Sequence, residues 1–138
     1  MVNDMKKAVI SEGLRTTPPA LNGFPKQVPP GGDTVCGRFI PGGTDIFLNI
    51  WSMVRSKEVF GEDADFFRPE RFLECEPGEK AKLLRTVDLI FGYGRWSCLG
   101  KQIALIELNK VVVQVCLNRP SFSLLDPPSS NSASLAIA

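Results

Sequence analysis

The sequence predicts a mostly α protein with minor β. Three observations carry that expectation. Apolar residues recur at helical spacing near the N-terminus and again after Gly100; the β-prone runs are short and bracketed by Pro and Gly; and 12 Gly and 11 Pro among 138 residues commit much of the rest to turns. One domain, or part of one, is the length prior.

The first element is a helix over about residues 3–15, where Val9, Ile10 and Leu14 form a stripe that Met5 and Val2 extend, ended by Pro18 and Pro19. Residues 21–41 are rich in Pro and Gly, and the runs 34–36 and 45–48 flank Pro41-Gly42-Gly43, which predicts a small β-hairpin. Residues 49–55 suit one or two helical turns, residues 61–71 form an acidic, aromatic meander without a period, and residues 79–85 suit a second short helix. After Gly100, Ile103, Ala104, Ile106, Leu108, Val111, Val112, Val113 and Val115 leave polar residues at 107, 110, 114 and 118, the pattern of a long helix with one wet stripe. Pro120 stops it, residues 121–125 suit a strand, and the Ser-rich residues 127–138 read as a disordered tail, so the chain divides at 1–126 and 127–138.

Composition narrows the chemistry. With 16 Lys plus Arg against 15 Asp plus Glu, the formal charge is +1 and no basic run tracks phosphates, so nucleic acid is not an expected partner. The chain has no His, which removes imidazole bases and imidazole metal ligands. Its most apolar stretch, residues 103–117, is broken by Glu107, Asn109, Lys110 and Gln114, short of the roughly 20 apolar residues of a membrane span. Asp4, Lys6 and Lys7 occupy the first ten residues in place of an apolar signal core, so intracellular residence is the expectation. Cys36, Cys75, Cys98 and Cys116 contain no C-x-x-C pair, which argues against a structural zinc site, and disulfides are not expected.

The segment Phe91-Gly92-Tyr93-Gly94-Arg95-Trp96-Ser97-Cys98-Leu99-Gly100 places a thiol in a glycine-rich loop at the start of the long helix. Unpaired amides and the partial positive charge of a helix N-terminus favour a thiolate there. Gly92, Gly94 and Gly100 allow backbone to approach a large flat ligand without Cβ clashes, and Phe91 and Trp96 offer aromatic surface on either side. Taken alone, a cysteine so placed is more often a buried structural residue in a helix-capping turn. Two anion-binding readings fail on spacing: a dinucleotide fingerprint from Gly92 and Gly94 needs Gly where Ser97 stands, and a P-loop needs four residues where five separate Gly94 from Gly100, with Gln102 in place of Ser or Thr.

The same segment resembles the haem-binding signature of the cytochrome P450 family: Phe, two residues, Gly, one residue, a basic residue, one residue, Cys, one residue, Gly. Phe91, Gly94, Cys98 and Gly100 fall in place, while Trp96 stands at the basic position and leaves Arg95, next door, as the candidate substitute. Two more motifs follow the family's order. Glu12-Gly13-Leu14-Arg15 is similar to its Glu-x-x-Arg helix, and Phe67-Arg68-Pro69-Glu70-Arg71-Phe72 to its Pro-Glu-Arg-Phe meander. Glu12 and Arg15, three apart, share a helix face, and Arg71 would complete a Glu-Arg-Arg triad. With Phe60-Gly61-Glu62-Asp63-Ala64 and the Pro30 to Thr44 hairpin, the resemblance covers about residues 3–126.

The resemblance implies that this is the C-terminal portion of the cytochrome P450 fold: Glu-x-x-Arg helix, small hairpin, meander, Cys loop and long helix. It implies haem b held by the Cys98 thiolate, with Phe91, Gly92, Gly94, Arg95, Leu99 and Gly100 around it, and monooxygenation of a small organic substrate with electrons from an NADPH-dependent reductase. Relatives of this type usually sit at the endoplasmic reticulum membrane and serve secondary metabolism or detoxification, although no anchor lies in this chain. The distal half of the family domain, with its oxygen-activating acid and alcohol and its substrate-recognition loops, falls outside the correspondence. No catalytic residue beyond the haem ligand is therefore expected in these residues, and the missing N-terminal part of the domain becomes an expected partner. Two other readings stay open: a relic or interaction module holding no haem, and a thiol-reactive protein using Cys98 alone.

Overall fold

Helix α1 (Val2–Thr16) opens the chain in a computed structural model that describes residues 2–118. Its last turn closes with the Thr16 hydroxyl donating to the Glu12 carbonyl at 2.9 Å and the Thr17 amide to the Gly13 carbonyl at 2.9 Å. Pro18, without an N–H, cannot continue the ladder. The buried face of α1 presents Ala8, Ile10, Glu12 and Arg15. An amphipathic helix thus carries an ion pair into the interior on its buried face.

The β region departs from the expected single hairpin. Strand β2 (Asp33–Val35) pairs antiparallel with β3 (Arg38–Ile40), with Thr34 opposite Phe39, while β1 (Lys26–Gln27) pairs with β4 (Asp45–Ile46), with Lys26 opposite Ile46. The hairpin turn is Cys36-Gly37, at φ 50° and 77°, the two left-handed residues that a two-residue turn requires. Pro41-Gly42-Gly43 is not the turn but a clasp: Gly43 donates to the Val28 carbonyl at 2.9 Å, and a Cβ on Gly42 would sit 2.5 Å from the Pro30 carbonyl oxygen. The Pro-Gly signal was real but marked a close approach between ladders.

Helix α2 (Ile50–Val54) is capped by Asn49, whose side-chain oxygen accepts the Ser52 amide at 3.0 Å. Helix α3 (Lys57–Phe60) is too short to show a period, and Gly61, at φ 86°, ends it. The meander is irregular except for a 3₁₀ turn at Pro69–Phe72. Helix α4 (Pro77–Asp88) runs further at both ends than the expected 79–85, with Pro77 in the first turn, where its missing N–H costs nothing. A 3₁₀ turn, Leu89–Phe91, follows, then the Cys loop and α5 (Lys101–Asn118). Ala8, Ile50, Val54, Phe60, Ala64, Phe72, Leu83, Val87 and Ile90 form one apolar cluster that joins α1, α2, α3, the meander and α4.

Helix α5 packs on α1 through a narrow stripe. Ala104, Leu105, Leu108, Asn109 and Val112 are half-buried, and Asn109 satisfies its amide on the Leu105 carbonyl at 2.6 Å. Glu107, Lys110 and Gln114 face solvent as the pattern predicts, but so do Ile103, Ile106, Val111, Val113 and Val115. The expected stop at Pro120, the strand at 121–125 and the tail at 127–138 lie outside the described residues. Among the described residues no helix is long and apolar enough to cross a membrane.

Candidate functional site

Two polar constellations come out of this fold, one buried and one exposed. In the buried one, Glu12 and Arg15 are fully buried and Arg71 is 4% exposed. Arg15 donates through Nε and Nη2 to the two oxygens of Glu12 at 2.8 and 2.9 Å, and its remaining N–H groups reach the carbonyls of Val54 at 2.8 Å, Ala64 at 2.5 Å and Phe66 at 2.9 Å. Arg71 donates Nε to Glu12 at 3.0 Å, and its other groups to the Phe60 carbonyl at 2.6 Å, to the Asp63 carboxylate and carbonyl, both at 3.0 Å, and to the Phe66 carbonyl. The Arg68 amide adds a fourth donor to Glu12 at 2.8 Å. Every N–H of both guanidiniums is therefore used.

Burial by itself would push the Glu12 carboxyl up, yet the hydrogen bonds from Arg15 and the Arg68 amide, with the Arg15 charge, hold it below the usual carboxylate range. Asp63 is likewise held down: burial raises it, but the hydrogen bond and charge of Arg71 and the charge of Arg68 outweigh that. The geometry is that of a cross-link between α1 and the turns 54–66. Arg71 and Asp63 also border an open hollow of about 370 Å³ between α3, the meander and α4, but there they are already bonded to each other. The sequence brought Glu12, Arg15 and Arg71 forward; it missed Asp63 because only the fold turns that acid back onto an arginine eight residues later.

The exposed constellation is the Cys loop. Gly92, at φ 77°, folds so tightly that a Cβ there would lie 2.5 Å from the Trp96 carbonyl oxygen. The turn Gly94–Trp96 follows, and the loop closes with the Cys98 amide donating to the Phe91 carbonyl at 2.6 Å. Cys98 is thereby held at the head of α5 with its thiol exposed, which disagrees with a buried capping cysteine. Residues 93–100 are all exposed; a Cβ at Gly94 would meet nothing within 4 Å, and one at Gly100 only the Cys98 sulfur at 3.9 Å. Leu99 and Tyr93 stand fully and largely in solvent.

Phe91 and Trp96 have different places. The Phe91 ring is buried under the loop, with Lys101 Nζ 5.8 Å from its centroid and Lys101 also paired to Asp88 at 2.5 Å. Trp96 is exposed and lies between two cations, with Arg95 Cζ at 4.7 Å and Lys26 Nζ at 5.4 Å from its ring. Lys26 carries no motif; strand β1 brings it to the loop from 70 positions away in sequence. A single sulfur on a bare, glycine-opened face, flanked by aromatic and aliphatic surface and two cations, suits a large flat metal complex with acidic edges. Among the described residues no three Cys, Asp or Glu side chains converge to cage a bare ion.

A family model described as Cytochrome P450 matches residues 3–133. The chain is 47% identical over 121 residues to the "Cytochrome P450 monooxygenase aba1" of Botryotinia fuckeliana (strain B05.10), an alignment covering 88% of this chain and 24% of that protein. It is 51% identical over 108 residues to the "Cytochrome P450 monooxygenase abl1" of Leptosphaeria maculans, covering 78% and 19%. Its fold is similar to that of a zebrafish cytochrome P450 solved with abiraterone, at a TM-score of 0.63 and 25% identity over 79% of this chain and 23% of that one. The chain thus spans about a quarter of the length of the proteins it matches.

Proposed function

The chain belongs to the cytochrome P450 family, and on that premise we propose that it is the haem-binding portion of a haem-thiolate monooxygenase, with Cys98 as the iron ligand. The observation that carries this is the presentation of Cys98: a fully exposed loop face, closed on the Phe91 carbonyl by the Cys98 amide, aims one thiol outward from the head of α5. When bound, haem supplies dioxygen activation and insertion of one oxygen atom into an organic substrate, with electrons from an NADPH-dependent reductase.

The chain's own residues have distinct tasks in this reading. Gly92 permits the tight reversal, Gly94 and Gly100 keep the ligand face free of side chains, and Leu99 and Trp96 give apolar cover. Phe91 acts from below, its ring wedged under the loop and its carbonyl fixing the Cys98 amide. Trp96 does not replace the family's basic residue; it stacks with Arg95 and Lys26, which offer the positive charge for the cofactor's acidic edges. Residues 1–126 are the domain portion in this reading. Substrate choice and oxygen activation belong to the part of the family domain outside it, so turnover by this chain alone is not expected.

The test is to express the chain with a haem precursor and record the reduced, carbon monoxide difference spectrum, with Cys98→Ala as control. A thiolate-type, red-shifted Soret band that disappears in Cys98→Ala is the expected result. A soluble, folded chain with no band would leave the haem-free relic reading in its place, and a band that survives Cys98→Ala would overturn the assignment of Cys98 as the ligand.

A further inference from the structure

The Cys loop hangs between two helices whose facing ends carry charges that the helices themselves disfavour. Asp88 is the last residue of α4 and Lys101 the first of α5. A helix C-terminus repels an anion and a helix N-terminus a cation, so neither charge is there for its own helix. What they have is each other: Lys101 Nζ lies 2.5 Å from the Asp88 carboxylate, across the mouth of the loop. Helices α4 and α5 both pack on α1, and among the described residues this is the one side-chain ion pair or hydrogen bond that joins the two directly. Lys101 also reaches the support of the thiol. Its amide donates to the Cys98 carbonyl at 3.3 Å, and its ammonium stands 5.8 Å from the ring centre of Phe91, the residue whose carbonyl accepts the Cys98 amide at 2.6 Å.

We propose that Asp88 and Lys101 are positioning residues, a strap that closes the stems of the Cys loop and fixes where Cys98 presents its sulfur. The consequence for a loaded chain rests on the haem-ligand reading above, whereas the strap itself exists, and is tested, without haem. Residues 93–100 are all exposed, so side-chain packing gives the loop little other support. With side-chain exposures of 24% for Lys101 and 54% for Asp88, the pair adds little to global stability. It acts instead on local opening of the loop, which costs less than unfolding the core.

The experiment reverses each charge alone, Asp88→Lys or Lys101→Glu, and then both together. Each single variant removes the strap and sets like charges face to face, yet puts the better charge on its helix end, so the urea midpoint should hold. Hydrogen exchange of the Cys98 amide is measured in the haem-free chain by mass spectrometry with single-residue fragmentation. It should quicken about fivefold in each single variant and return to the original rate in the double one. With haem, each single variant should lose part of the red-shifted carbon monoxide band, and the double variant should regain it. Unchanged exchange in the single variants, faster exchange that tracks a lowered midpoint, or no recovery in the double variant would overturn the strap. A band still diminished after exchange has recovered would mean that Lys101 acts by its charge near the sulfur, and would overturn the positioning role as well. Asp88→Asn and Lys101→Met replace any reversal that does not fold, with quickened exchange at a constant midpoint again expected. If no chain gives a band, the original included, while the exchange pattern holds, the haem reading fails and the strap stands.

Discussion

Glu12→Gln tests the buried cross-link most directly, because it keeps shape while removing charge. Glu12 accepts four hydrogen bonds, from Arg15 Nε and Nη2, the Arg68 amide and Arg71 Nε, all between 2.8 and 3.0 Å. The variant places an amide NH₂ against donors and leaves two buried guanidiniums with Asp63, itself 37% exposed, as the one carboxylate still bonded to Arg71. Breaking a buried ion pair from one side costs about 3 to 5 kcal/mol, which is roughly two to three and a half decades in the folding equilibrium. Equilibrium urea unfolding followed by far-ultraviolet circular dichroism reads this as a drop in midpoint, and a variant already unfolded without urea fits the same expectation. The control is Lys57→Gln, which removes an exposed pair to Glu62 at 2.8 Å and should leave the midpoint in place. A Glu12→Gln shift under about 1 kcal/mol with an unchanged slope would refute the claim that this network fastens α1 to the turns behind it.

Stability should also fall on acidification. Glu12 and Asp63 both have folded values below their ordinary 4.5 and 3.8, so their contribution is complete above those values and is lost as pH drops through the lower folded ones. With no His in the chain, the unfolding midpoint should stay level between about pH 6 and 8, and a slope there would contradict this account. In the Cys loop, Gly92→Ala should abolish the carbon monoxide band, since its Cβ would press on the Trp96 carbonyl at 2.5 Å. Gly94→Ala, at φ 59° with open space, should cost only the left-handed penalty of about 1 to 2 kcal/mol. Brief alkylation of the haem-free chain read by mass spectrometry should label Cys98 and Cys36 before the half-buried Cys75; equal labelling of Cys75 would contradict the packing.

What the sequence revealed and what it hid follow from the range of the interactions. Periodicity located α1 and α5, and residues 79–85 marked the middle of α4 but neither of its ends, because those signals are local. Strand pairing is not local. The Pro41-Gly42-Gly43 signal resembled a hairpin turn, yet Cys36-Gly37 makes the reversal, through a left-handed cysteine that no propensity would choose. Glu12 and Arg15 were legible at three-residue spacing, whereas Asp63 and the five carbonyls that the arginines gather became visible only in three dimensions. Lys26 gave no sign at all, since it meets Trp96 only once the β1–β4 ladder has carried it to the Cys loop.

The two constellations differ in what they still need, and that difference orders the chain's behaviour. The hydrogen bonds of the buried network close within residues 12–71: every N–H of the Arg15 and Arg71 guanidiniums has an acceptor, and the apolar cluster that runs from Ala8 to Ile90 packs beside it. The Cys loop and α5 are the reverse: residues 93–100 are all exposed, and so are Ile103, Ile106, Val111, Val113 and Val115 of the helix behind them. Stability and cofactor function should therefore separate under mutation. Changes at Glu12, Arg15 or Arg71 should lower the unfolding midpoint and lose the haem band as a consequence, while changes at Cys98 or at the exposed Ile106 and Val111 of α5 should leave the midpoint in place. A Cys98→Ala variant that melted early would mean the loop contributes to the core after all, and would count against treating its exposure as readiness for a ligand.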